Sequence, residues 1–163
     1  ALSETGDTFF LDADIVATAN LNDGFTRELV MSPHLHGSDG VANCRKFGVF
    51  NAGYLWTCRP EVPQLWRDIY LSRSLFFEQE GMPLLAEAIS FSTFSDLHNV
   101  GFWREPAFPL SGTRSWHVHM TDALDDRANN GLRMKYVEHR QRVRGELEKL
   151  GRNDLLAFLD SLA

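Results

Sequence analysis

The sequence predicts a mixed α/β protein. Three observations carry that expectation: short apolar runs that stop at acids or glycines, segments with helical apolar spacing, and the interleaving of the two along the chain. Of 163 residues, 44% are apolar and 23% charged, as in an ordinary globular domain, and the length suffices to bury one core. Residues 1–163 therefore read as a single domain, with 122–163 as a C-terminal helical extension.

Thr8-Phe-Phe-Leu-Asp12 reads as a short buried strand, an apolar run ending abruptly at an acid. Ile15 to Ala19 either continues extended or turns away. Leu29 to Ser32 reads as another strand, followed by a polar, glycine-bearing loop from Pro33 to Asn43. Phe47 to Cys58 is rich in aromatic and β-branched residues and is interrupted by Asn51-Ala-Gly53, which predicts a strand with a bend or bulge.

A helix follows. Pro60 and Pro63 lie near its start, and Val62, Leu65, Trp66, Ile69 and Tyr70 keep helical spacing toward an end near Phe77. A second helix begins around Pro83 and runs through Leu84, Leu85 and Ala88, while Phe91–Phe94 and Arg114–Met120 read as strands. Tyr136, Arg140, Val143, Leu147 and Leu150 mark a long charged helix, with His139 on its solvated face and an i,i+4 pair between Arg144 and Glu148. Gly151 ends that helix. Asn153 is expected to cap a last one, whose apolar face is Leu155, Leu156 and Leu159.

Sixteen basic against 22 acidic residues give a net charge of −6, which argues against nucleic acid and anionic membrane surfaces as partners. No apolar run is long enough for a membrane span, and the first residues lack the pattern of a signal peptide. Cys44 and Cys58 are too few for a disulfide framework and read as small buried residues in a reducing compartment. A cytoplasmic location is the expectation.

Asp12-Ala-Asp14 is the first candidate for chemistry. Two carboxylates at i and i+2, where an apolar strand ends, can share one hard cation such as Mg²⁺ or Mn²⁺, although a solvated turn or a helix N-cap has the same pattern. His117-Val-His119 lies in an expected strand, where residues two apart face the same side, so either imidazole can join such a cation. His34-Leu-His36 forms a second, loop-borne pair. Glu78-Gln79 stands between two helices, where an acid can accept a proton from a sugar hydroxyl or serve only as a polar helix terminus.

Taken in order, Phe9-Phe-Leu-Asp-Ala-Asp-Ile15, Phe50-Asn-Ala-Gly-Tyr54, Phe77-Glu-Gln79, His98-Asn-Val-Gly-Phe-Trp103 and Trp116-His-Val-His119 resemble the GT-A fold glycosyltransferases of the Asp-x-Asp type. The resemblance covers roughly residues 7 to 120 and implies a mixed sheet flanked by helices. It implies a manganese- or magnesium-dependent transfer of sugar from a nucleotide-diphosphate sugar to an acceptor. Asp12 and Asp14 are then metal ligands, with His117 or His119 completing the shell. Asn51 and Gly53 let the backbone approach the donor sugar, Glu78 and Gln79 touch sugar hydroxyls, Trp103 stacks on a sugar face and His98 lines the same cleft. In that family the base-binding strands precede the Asp-x-Asp motif by some tens of residues, whereas eleven residues precede Asp12 here. The resemblance thus implies a partial domain lacking its nucleotide-binding part, with homo-oligomerisation as one way to supply it. Two other readings are a noncatalytic carbohydrate- or partner-binding module, and a metal-dependent hydrolase with His34, His36, His117, His119 and the acids around a transition metal.

Overall fold

The computed structural model describes residues 7–34, 44, 48–73, 78–104, 112–118 and 130–162, the side chains of Glu78 and residues 130–135 excepted. The chain divides into two compact units, residues 1–12 with 22–96 and residues 13–21 with 97–163. Both are mixtures of strands and helices, as the interleaved pattern predicts.

The first unit is built on a four-stranded mixed sheet. Its strands are β1 (Thr8–Leu11), β3 (Leu29–Pro33), β4 (Phe50–Thr57) and β5 (Phe91–Thr93), in the spatial order β1-β4-β3-β5. β4 runs antiparallel to both β1 and β3, and only β3 and β5 are parallel. The central strands are covered on both faces: Leu29 to Ser32 and Asn51 to Thr57 are buried throughout. One face carries Leu29, Met31 and Leu55 against helices α1 (Val62–Arg73) and α2 (Met82–Ala88), whose Val62, Met82 and Leu85 are fully buried. The other face is aromatic: Phe25 packs on Trp56 at 4.7 Å and Tyr54 on Phe94 at 4.7 Å, with Phe9 against both Phe25 and Phe94.

The apolar run Thr8–Leu11 is expected to be a buried strand; it is instead an edge strand. Phe10 and Leu11 are 38% and 37% exposed, and among the described residues β4 is the one strand beside them. An apolar run records hydrophobicity but not how many neighbours the strand will have. The expected irregularity around Asn51-Ala-Gly53 is present. Met31 pairs with Leu55 and the next residue, Ser32, pairs with Asn51, so β4 bulges through Ala52, Gly53 and Tyr54 opposite β3.

The second unit holds the antiparallel pair β2 (Ile15–Ala17) and β6 (Ser115–His117), with Ile15 opposite His117 and Ala17 opposite Ser115. Val100 adds a parallel bridge to Trp116. The core consists of Val16, Val100, Trp116 and Val118 packed with Val143, Leu147 and Leu159 from α3 (Asn130–Lys149) and α4 (Asn153–Ser161). The C-terminal helices therefore share one core with β2 and β6.

His139 is not on a solvated face: it is fully buried, with its ring 5.9 Å from that of Trp116. Tyr136, His139, Val143 and Leu147 fall at i, i+3, i+7 and i+11, so the imidazole belongs to the buried stripe. Arg140 lies beside that stripe, half-buried, where its guanidinium donates to the carbonyls of Leu159 and Leu162 at the end of α4. Leu150, one of the residues whose spacing marks the helix, is 59% exposed. Gly151, with φ +66°, ends α3 as expected, and the Arg152 N–H reaches back to Leu147 O at 3.0 Å in a Schellman arrangement. Asn153 is the first residue of α4 rather than its cap. Arg152 holds the cap position without a side-chain cap hydrogen bond, and Asp154 supplies negative charge to the first turn.

Candidate metal centre

In the second unit the antiparallel register brings Asp14 to His117. Asp14 immediately precedes β2, His117 ends β6, and the next residue, Val118, donates its N–H to Asp14 O at 3.1 Å. His117 Nε2 then lies 3.2 Å from Asp14 Oδ1, with side chains 3% and 14% exposed respectively. On the opposite edge of the ring, His117 Nδ1 lies 3.0 Å from Asn99 Oδ1.

That amide oxygen can only accept, so Nδ1 carries the proton and Nε2 is the nitrogen presented to Asp14. A neutral imidazole in this tautomer offers its lone pair to a cation; a protonated one donates to the carboxylate. Fixing the remote nitrogen of a ligating histidine in this way is how outer-shell groups set the ring's orientation.

Asn99 is itself firmly held. Its φ of +53° lies in the left-handed region, where asparagine is among the few tolerated residues other than glycine. Its N–H donates to Ser115 Oγ at 2.9 Å. Ser115 and His117 are two apart on β6 and share a face, so one short strand fixes both the imidazole and the residue that orients it. Trp103 closes another side, its ring T-shaped against His117 at 5.3 Å. A Cβ on Gly101 would lie 2.2 Å from that indole, so the ring needs the bare glycine beneath it.

In the first unit, Asp12 follows β1 and donates its N–H to Gly53 O at 2.9 Å. Its carboxylate occupies the space a side chain at Gly53 would take: a Cβ there would be 1.8 Å from Asp12 Oδ2. Gly53 therefore makes room for an acid of the chain itself. Asn51 Oδ1 accepts the Gly53 N–H at 3.1 Å, and Asn51 Nδ2 lies 3.4 Å from His34 Nε2. His34 Nδ1 is 2.8 Å from Gly48 O. Asp12 and Asp14 are separated by Ala13 alone, so their proximity follows from the chain.

The other sequence-derived residues are placed as follows. His98, expected on a cleft wall, is fully buried, and its carbonyl accepts from Arg104 Nη1 at 2.6 Å. Gln79 lies half-buried in the 3-10 turn Glu78–Gly81; Glu78 begins that turn, and its side chain is outside the described residues. His36 and His119 also lie outside them. Neither described cysteine, Cys44 or Cys58, is in a disulfide. No described helix is long and apolar enough to cross a membrane.

Asn99 is the residue that sequence reasoning missed. The available signal is faint: an asparagine just ahead of Val-Gly, of a type that accepts positive φ. Compared with known protein families, curated proteins and solved structures, the chain gives no significant match.

Proposed function

We propose that this chain is a divalent-metal-dependent glycosyltransferase using a nucleotide-diphosphate sugar, with Asp14 and His117, and Asp12 two residues before Asp14, as the cation's protein ligands. The observation that carries the reading is His117 Nε2 turned to Asp14 while Asn99 holds Nδ1. A metal-ligating histidine characteristically has its remote nitrogen held in this way. Two carboxylates and an imidazole suit Mn²⁺ or Mg²⁺, and the nitrogen weighs toward Mn²⁺. The GT-A fold is part of the same proposal.

When bound, the cation supplies Lewis-acid neutralisation of the departing nucleoside diphosphate. The protein's own share is positional. Asp14 and His117 bind, Asn99 fixes the imidazole tautomer, and the Trp103 ring covers one side of the histidine. Asp12 adds a second carboxylate one residue upstream of Ala13, and Glu78 and Gln79 are assigned to the sugar hydroxyls.

The test is a calorimetric titration of UDP and GDP with and without Mn²⁺, on the chain and on Asp14→Ala. Nucleotide binding that requires Mn²⁺ and is lost in the variant is the expected result. Binding that ignores the metal, or survives Asp14→Ala unchanged, rules the assignment out.

A further inference from the structure

We infer that His34 is a positioning residue for the Asp12 carboxylate, acting through Asn51 and the Gly53 peptide. The inference rests on Asp12 being a ligand of the proposed cation. His34 looks remote from that role in the sequence, where it is one of a loop-borne pair of histidines. In the structure it is 5% exposed, and Asn51 is 9% exposed.

The argument is one of hydrogen-bond direction. Gly53 N–H can only donate, so Asn51 Oδ1 is the acceptor facing it at 3.1 Å. That choice turns the Asn51 Nδ2 donor toward His34, whose Nε2 must therefore accept at 3.4 Å. The other ring nitrogen, Nδ1, then carries the proton and donates to Gly48 O at 2.8 Å. Gly48, at φ +82°, sits in a backbone conformation open chiefly to glycine. Every group in the series has one direction available, and all of them agree.

The far end of the series bears on the metal ligand. The Gly53 carbonyl accepts the Asp12 N–H at 2.9 Å, and the Gly53 Cα lies against the Asp12 carboxylate where no Cβ would fit. This stretch of β4 is the bulge, where the ladder to β3 skips from Leu55 to Asn51. Pairing to β3 therefore does not fix the Ala52–Gly53 peptide, and Asn51 holds its N–H instead, with His34 holding Asn51 in place. Removing the acceptor at position 34 takes one restraint from the Asn51 amide and so from the Ala52–Gly53 peptide, whose orientation sets the backbone torsion at Gly53 and thereby the direction of the next carbonyl, the one that supports Asp12.

The experiment uses the full chain, Mn²⁺ alone as the probe, and two variants, His34→Leu and His34→Gln. Gln restores an acceptor oxygen toward Asn51; Leu fills space without one. Mn²⁺ affinity is read by electron paramagnetic resonance, and the Asp12 and Gly53 amides by hydrogen exchange without metal. His34→Leu is expected to weaken Mn²⁺ by about tenfold and to speed exchange at both amides, and His34→Gln to restore both. Unchanged affinity and exchange in His34→Leu, or a Gln variant as impaired as the Leu one, overturns the inference. If the unaltered chain binds no Mn²⁺, the cation reading fails separately. Exchange at Asp12 and Gly53 then decides alone whether His34 governs that peptide. Should His34→Leu not fold, Asn51→Ser, which can still accept from Gly53 but cannot reach His34, takes its place with the same expected losses.

Discussion

The two units present their acids by opposite physical means. In the second, a buried imidazole is aimed: Asn99 behind it fixes the ring by hydrogen-bond direction, which turns Nε2 to Asp14 in front. In the first, an exposed carboxylate is seated: Asp12 rests in the space left by the missing side chain of Gly53, at the end of an edge strand. Direction needs donors and acceptors of the right kind, whereas seating needs only an absent atom. The first is broken by chemistry and the second by volume.

Four measurements bear on that contrast. The largest effect is expected from Leu147→Ala, which opens a cavity in the core packed against β6 and costs about 2–5 kcal/mol in denaturant unfolding. A cost under about 1 kcal/mol would mean that α3 is not what stabilises the histidine strand.

Asn99→Ala comes next. It removes the acceptor on His117 Nδ1 and is expected to lower Mn²⁺ affinity by about 10–100-fold. Asn99→Gly relieves the positive φ without restoring the acceptor, so it should be just as weak for metal though better folded. Recovery of affinity in the glycine variant would show that backbone strain, not ring orientation, was at issue.

Gly53→Ala attacks the seat directly. The added methyl must displace the Asp12 carboxylate, and a loss of about tenfold in Mn²⁺ affinity with little change in melting temperature is expected. Wild-type affinity in Gly53→Ala would remove Asp12 from the ligand set and leave Asp14 and His117.

The smallest effect concerns charge alone. Hydrogen bonding from Arg152 holds the Asp154 carboxyl down at about 2, against an ordinary value of 3.8. A depressed folded-state value means stability that is present above the unfolded value and lost as pH falls toward 2. Asp154→Asn should therefore lower stability slightly at neutral pH, where the contribution is fully present, and flatten the acid limb between about pH 4 and pH 2, below which variant and parent converge. Since both partners are exposed, the loss is slight, and a stability difference that does not shrink between about pH 4 and pH 2 would contradict this account.

Much of the fold was legible because the relevant signals are local. The helical spacing of Val62, Leu65, Trp66 and Ile69 marks α1, the run Leu29–Ser32 marks β3, and Asn51-Ala-Gly53 marks the bulge. Gly151 announces the end of α3 through its own backbone freedom. The Arg144–Glu148 pair, at 3.8 Å, follows from helix spacing as well. Where sequence reading went astray, the deciding fact was the neighbour. Phe10 is apolar enough for a core but, among the described residues, has a strand on one side only, and His139 is polar enough for a surface but lies over Trp116.

The candidate site divides along the same line. The sequence by itself determined which atoms are available: carboxylates at 12 and 14, one residue apart, and an imidazole at 117 in a strand. It also determined that position 53 bears no side chain. Only the tertiary structure decided that Asp14 meets His117, because residues a hundred positions apart are joined by the register of β2 with β6 and by nothing local. Only it decided that Gly53 shelters Asp12, since the bulge sets β4 against the end of β1. The orienting role of Asn99 is of the same kind: composition supplies donors and acceptors, and packing gives them their directions.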